Sequence, residues 1–172
     1  MKAHLLSKLK QLRLSGLAST LEVRLTEASG HQLNHEEFLE LILNDELAVR
    51  DDRAITRRIK KAAFRELKTI EDFDFSFNPS IKRRQIMDLA TGRFIREKAD
   101  LLILGPPGVG KSHLVQALGH HATRIGFAVL YRSIFDTIAE LIEAENFGDN
   151  AKIMKRYLQP DLLIIDDMGI KK

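Results

Sequence analysis

Residues Gly105, Pro106, Pro107, Gly108, Val109, Gly110, Lys111 and Ser112 follow one another in the pattern G-x-x-x-x-G-K-[ST], a spacing suited to holding a row of phosphates. Glycines let the backbone curl until successive N–H groups face one anion. A helix starting where the loop ends adds unpaired donors and the positive end of its dipole. The Lys111 ammonium then reaches the terminal phosphates, and the Ser112 hydroxyl is placed to ligate Mg2+. The predicted chemistry is binding of a nucleoside triphosphate. The bland alternative is a glycine-rich turn that happens to precede Lys-Ser.

A second group supports the first. Asp166 and Asp167 follow the apolar run Leu162-Leu163-Ile164-Ile165, which is expected to form a strand buried on both faces of a parallel sheet. In open α/β sheets ligands bind beyond the carboxyl ends of the strands, so these acids are expected beside the loop. Asp166 then suits the Mg2+-holding Walker-B position, and Asp167 suits a base that polarises an attacking water. An aspartate pair that merely caps a loop or helix is the competing reading.

These side chains need a scaffold, and the flanking pattern provides one. Leu101-Leu102-Ile103-Leu104 reads as a short core strand leading into the loop, and Leu114, Val115, Leu118, Ala122 and Ile125 repeat at helical spacing after it. Ala128-Val129-Leu130-Tyr131 is a further strand, and Ser133 with Asp136 is expected to cap the helix that follows. Upstream, Leu5, Leu6, Leu9 and Leu12 share one helical face, which Gly16 is expected to end. Asn34 and Glu37 form a candidate capping box before a long amphipathic segment reaching Ala63. Phe73, Phe75 and Phe77 alternate with Asp74 and Ser76, so this stretch is expected to run extended up to a turn at Asn78-Pro79. Its rings suit docking in a core better than stacking on nucleic-acid bases.

Composition narrows the class. The chain has 172 residues, 44% of them hydrophobic and 30% charged, enough for a buried core in one domain or a small pair. With no cysteine it has neither a disulfide framework nor a thiolate metal site, and no apolar run is long enough for a membrane span. A cytoplasmic protein without membrane contact is therefore expected. The formal net charge of +3 is unevenly spread. Charges balance from the loop strand onward, and the surplus lies in the first hundred residues. It forms a dense run of Arg50, Arg53, Arg57, Arg58, Lys60, Lys61, Arg65 and Lys68 and a second group of Lys82, Arg83, Arg84, Arg93, Arg96 and Lys98. Arg53, Arg57, Arg58, Lys60 and Lys61 are the candidates for contacting a nucleic-acid backbone. A solvated charged face is the alternative, and contact with a membrane or an acidic protein is a third. The six histidines suggest surface or supporting roles rather than a metal site.

Taken together, four features make the whole chain resemble one family. They are the leucine-rich N-terminal helices, the segment Thr69-Ile70-Glu71-Asp72-Phe73-Asp74-Phe75, the loop with His113 directly after it, and the sequence Asp166-Asp167-Met168-Gly169. It resembles the IstB-like ATP-binding proteins, helper ATPases of bacterial insertion sequences related to the DnaC helicase loaders. The resemblance implies an α/β P-loop NTPase of the AAA+ class. Its parallel-sheet domain over 80–172 would be incomplete at the C-terminus, preceded by a helical N-terminal domain over 1–68 and an extended strap over 69–79. It further implies ATP and Mg2+ as cofactors, Gly105 to His113 around the nucleotide, Lys111 and Asp167 in catalysis, and Ser112 and Asp166 on the metal. Duplex DNA, the transposase of the same insertion sequence and a homo-oligomer are the implied partners, with a replicative helicase in place of the transposase for a loader.

Two departures accompany the resemblance. The common AAA+ residue at the position of Asp167 is glutamate, one methylene longer. Family members also continue past Met168-Gly169 into a strand with a polar sensor residue and an arginine finger, so hydrolysis is expected to be weaker than binding. A nucleotide-binding remnant is accordingly one of the readings. A small-molecule kinase would need an acceptor pocket and a basic lid after the loop, and Ala128 to Leu158 shows neither clearly.

Overall fold

The computed structural model of the chain describes residues 2–168; Gly169, which closes the Asp166–Gly169 motif, and Ile170 to Lys172 lie outside the described residues. The chain divides into two compact units, Met1–Thr56 and Arg57–Lys172.

The first unit is helical. Helix α1 (Lys2–Gln11) and α2 (Ser15–His31) pack with the first turns of α3 (His35–Ala62) around Leu9, Leu17, Leu21 and Ile42, with Leu6, Leu14, Ala18 and Phe38 against them. Each of the four buried residues, Leu9, Leu17, Leu21 and Ile42, contributes about 1.5–3 kcal/mol on burial. The capping box forms as expected: Asn34 Oδ1 accepts from the Glu37 amide at 2.9 Å, and Glu37 Oε2 accepts from the Asn34 amide at 2.8 Å. Gly16 does not terminate α1 but lies in the first turn of α2. A methyl there would stand 2.9 Å from Asp45 O, Glu46 Cα and Val49 Cβ, so glycine is what lets the two helices meet.

No side chain of its own caps α2, and its N-cap position is Leu14. The buried Glu46 carboxylate does that work from α3, accepting from the amides of Gly16 at 2.7 Å and Leu17 at 3.1 Å. Arg50, one turn along, donates to its other oxygen at 2.8 Å and, with these amides, holds the Glu46 carboxyl below its ordinary range.

The second unit is built around α6 (Lys111–Arg124). On one side, Leu114, Ala117 and Leu118 pack against Ile70, Phe73 and Ile86. Ile86 comes from α4 (Arg83–Ala90). On the other side, Ala122 joins Ala62 at the end of α3, Ile95 of α5 (Arg93–Arg96) and Val129. The strands are β1 (Val129–Ser133) and β2 (Leu162–Asp166), linked by α7 (Ile134–Phe147) and α8 (Asn150–Leu158). They pair in parallel with Val129 opposite Leu162 and Ser133 opposite Asp166. Ser133 caps α7 as expected, its hydroxyl accepting from the Asp136 amide at 3.0 Å.

Three further expectations are corrected. Leu101–Leu104 is not a strand: among the described residues the sheet has two members, β1 and β2, and a segment without a ladder neighbour gains nothing from extended pairing. Leu102 and Leu104 are 74% and 81% exposed. Strand β2 is likewise not buried on both faces. Leu162 and Ile164 pack on the core near Ala122, whereas Ile165 is open to solvent. Finally, Thr69 to Pro79 folds through turns instead of running extended. Thr69 Oγ1 donates to Asp72 Oδ2 at 2.6 Å and accepts from the Asp72 amide, while Asp74 Oδ1 accepts from the Ser76 amide at 2.8 Å. Side chains that bond their own backbone outcompete the alternation of phenylalanines. Phe73 is buried, Phe75 is half-buried, and Phe77 is exposed.

Candidate nucleotide site

The loop from Gly105 to Gly110 turns through two left-handed glycines, Gly108 at φ 80° and Gly110 at φ 90°. Gly110 is also a packing requirement, since a Cβ would meet the Phe73 ring at 2.9 Å. Gly110 serves as N-cap of α6 without a side-chain acceptor, so the first-turn amides carry no side-chain cap there. Lys111 Nζ donates to the Pro106 carbonyl at 2.7 Å, which folds the ammonium over its own loop.

The second half of the site comes from the carboxyl end of β2. Ser112 Oγ donates to Asp166 Oδ1 at 3.1 Å, and the Tyr131 hydroxyl donates to Asp166 Oδ2 at 2.8 Å. The Asp167 amide also donates to Asp166 Oδ1, at 2.8 Å. Burial first, and then the neighbouring Asp166, push the Tyr131 hydroxyl well above its ordinary value, which keeps it a proton donor. Asp167 sits in the left-handed region at φ 59°. Its carboxylate turns to Arg65, whose Nη1 donates to Oδ2 at 2.9 Å, and this partner raises the Arg65 guanidinium further.

Loop, lysine, serine hydroxyl and first aspartate are thus brought together. His113 lies alongside them but faces the strap, edge-on to Phe73 with ring centroids 5.3 Å apart and Nε2 3.4 Å from the Thr69 carbonyl. A hydroxyl and a carboxylate converging at 3.1 Å suit a hard cation that takes its remaining ligands from phosphate oxygens and water. Among the described residues no group of three or more histidines and acids is gathered to hold an ion unaided.

Sequence reasoning missed three contributors. Tyr131 stood in a predicted strand without a role, although Asp166 lies opposite Ser133, two positions along, where residues point to the same face. Arg65 was counted within the basic run. Gln116 carried no motif, yet its buried side chain joins the Ser112 carbonyl at 3.2 Å to the Glu66 amide at 2.9 Å.

The basic run itself separates. Arg57, Lys60 and Lys61 are exposed at the end of α3. Arg58 is half-buried, its Nε donating to the Thr123 carbonyl in the last turn of α6 at 2.7 Å. Lys68 pairs with Glu66 at 2.7 Å. In the first unit, Arg53 Nη1 donates to Ser15 Oγ at 2.5 Å.

A glycine-rich loop at a helix start beside a strand-end aspartate is the arrangement of a nucleotide-binding protein class. Within that class the chain belongs to the family described as IstB-like ATP binding protein, which matches residues 7–172. It is 38% identical over 171 residues to a Pseudomonas fluorescens protein of insertion sequence IS1162, covering 99% of this chain and 74% of that one. It is 35% identical over 164 residues to a Mycobacterium tuberculosis insertion-sequence protein, covering 95% and 65%. A Pseudomonas aeruginosa protein of insertion sequence IS21 is 35% identical over 161 residues, covering 94% and 61%. The names of all three give them, provisionally, as ATP-binding proteins of insertion sequences. The chain therefore spans roughly two thirds of these relatives' length. Among the described residues no helix is long and apolar enough to cross a membrane.

Proposed function

We propose that this chain is the ATP-binding engine of a DNA-transposition helper, working in the cytoplasm with the transposase of its insertion sequence. The observation that carries the reading is the convergence of Ser112, Tyr131 and Asp166 beside the Gly105–Ser112 loop. In this reading Gly105 to Ser112 wrap the phosphates, with His113 supporting the loop from the strap side. Lys111 leaves the Pro106 carbonyl to meet the terminal phosphates, an exchange of a neutral acceptor for a charged one.

Ser112 and Asp166 would hold Mg2+, which supplies neutralisation of phosphate charge when bound. Tyr131 orients the Asp166 carboxylate. Asp167 accepts a proton from water as the water oxygen bonds to the γ-phosphorus. The bond from that phosphorus to the bridging oxygen breaks, releasing ADP and phosphate. We assign 80–172 to an AAA+ nucleotide domain and 69–79 to a strap. The helical part, 1–68, meets DNA and partners in ATP-bound homo-oligomers. Arg57, Lys60 and Lys61 offer exposed charge for duplex phosphates, and so does Arg53 in the first unit.

The test is ATP–Mg2+ affinity and turnover of wild-type protein and Lys111→Ala, with and without duplex DNA. The expected result is binding by the wild type, a loss of about 10- to 100-fold in affinity for Lys111→Ala, and turnover that rises with DNA. Equal affinity in the two proteins overturns the assignment of the loop.

A further inference from the structure

Along α3, Leu39, Leu43 and Leu47 stand four residues apart and are 54%, 52% and 57% exposed. That spacing keeps them on one face, as a ridge of about 12 Å. The ridge lies away from Phe38 and Ile42, which face the core of the helical unit. Exposed leucines scattered singly are ordinary, but three in line leave an apolar strip facing water.

Acids border this ridge. Glu36 comes three residues before Leu39, Glu40 three before Leu43, and Asp51 four after Leu47, spacings that set each beside its leucine. All three are exposed, and among the described residues none is held in an ion pair. Arg50, the arginine of this stretch, is committed to Glu46 at 2.8 Å. The ridge therefore combines an apolar centre with uncompensated negative charge at its margin.

Those two properties define the occupant. A ridge at four-residue spacing fits the groove between side-chain rows of another helix. Nucleic-acid phosphates would meet like charge here. A second copy laid ridge to ridge would set its own Glu36, Glu40 and Asp51 against these acids.

We propose that Leu39, Leu43 and Leu47 form a docking ridge for a basic amphipathic helix of a partner protein. The leucines take its apolar face, and Glu36, Glu40 and Asp51 pair with its lysines or arginines. Neither the glycine-rich loop nor the basic end of α3 takes part, so the inference goes beyond the ATPase reading and does not depend on it.

The experiment uses the full chain and two labelled peptides of about 20 residues, long enough to hold a helix. One carries leucines at three- and four-residue spacing flanked by lysines, and the other has glutamates in place of the lysines. Fluorescence anisotropy is expected to show the lysine peptide binding wild type at least about 10-fold tighter than the glutamate peptide, and loosening as salt rises. Leu39→Ala/Leu43→Ala/Leu47→Ala is expected to lose about 30-fold or more in affinity. Its helicity and ATP affinity should match wild type, because alanine keeps the helix propensity. Glu36→Gln/Glu40→Gln/Asp51→Asn retains the leucines and is expected to abolish the preference between the peptides.

No binding of the lysine peptide, or equal binding of both peptides by wild type, overturns the proposal. So does self-association of wild type that the alanine variant loses in sedimentation, which would give the ridge to a second copy. If the alanine variant unfolds, the neutralised variant decides, and a preference that persists there overturns the pairing. Peptide binding by a wild type that binds no ATP upholds the ridge and removes the ATPase reading alone.

Discussion

Ser112 Oγ donates to Asp166 Oδ1 across 3.1 Å, which joins the first turn of α6 to the last residue of β2. The hydroxyl arrives there because the loop delivers the start of α6 to the strand end. The carboxylate is held from the other side by Tyr131 at 2.8 Å. Under the proposed function, both groups stand where a small cation and a phosphate oxygen would meet. Asp166→Asn keeps the shape and removes the charge. The Mg2+-dependent part of ATP affinity is expected to fall by about 10-fold or more. Affinity in chelator is expected to stay within about twofold, both read by calorimetric titration.

Arg57 and Arg58 are neighbours with different fates. Arg58→Ala strips a charged donor from the Thr123 carbonyl and is expected to cost about 1–2 kcal/mol of stability. Arg57→Ala and Lys61→Ala should leave the urea midpoint where it is. Each should instead lower the salt dependence of DNA affinity by about one unit of log–log slope. Denaturation and binding curves on the three proteins check the division.

Gly16→Ala tests the approach of α2 to α3. Two of the three atoms that would crowd the new methyl are backbone atoms, which cannot rotate away. The better helix propensity of alanine offsets only part of that clash. A net loss of about 1–2 kcal/mol is expected in urea unfolding.

Acid should loosen the helical unit by a defined route. Arg24 donates to both oxygens of Asp45 at 2.8 Å. Arg24 first, and then Thr20, hold the Asp45 carboxyl at about 2, against an ordinary 3.8. A carboxyl depressed in the folded state contributes stability that is fully present above its unfolded value and is lost as pH falls through the folded one. Helical signal should therefore weaken from about pH 4 toward pH 2. Asp45→Asn should be less stable than wild type at neutral pH and nearly equal to it at about pH 2, as followed by denaturant titration across that window.

Local signals carried much of this structure into the sequence. Asn34 with Glu37 and Ser133 with Asp136 are pairs whose bonds close within three residues, so spacing alone reveals them. The loop and the strand-end aspartates are legible for the same reason. Contacts that close over long separations are not. Nothing near Leu14 announces that Glu46 will cap α2, and nothing near Tyr131 announces that its hydroxyl will find Asp166. Leu101–Leu104 misled because an apolar run reports what a segment would bury, whereas a strand also needs a neighbour to pair with. In Thr69 to Pro79 the period of the rings favours an extended run, but the local bonds of Thr69 and Asp74 are stronger.

The Gln116 amide, bonded at one end to the Ser112 carbonyl and at the other to the Glu66 amide, turns that single backbone proton into a clock. Its exchange with deuterated solvent requires the Gln116 link to open, and the same side chain grips the first turn of α6. Whatever tightens that turn should slow the exchange at Glu66, a residue remote from the loop in sequence. Occupancy of the site would then be readable in real time from a position that no ligand touches.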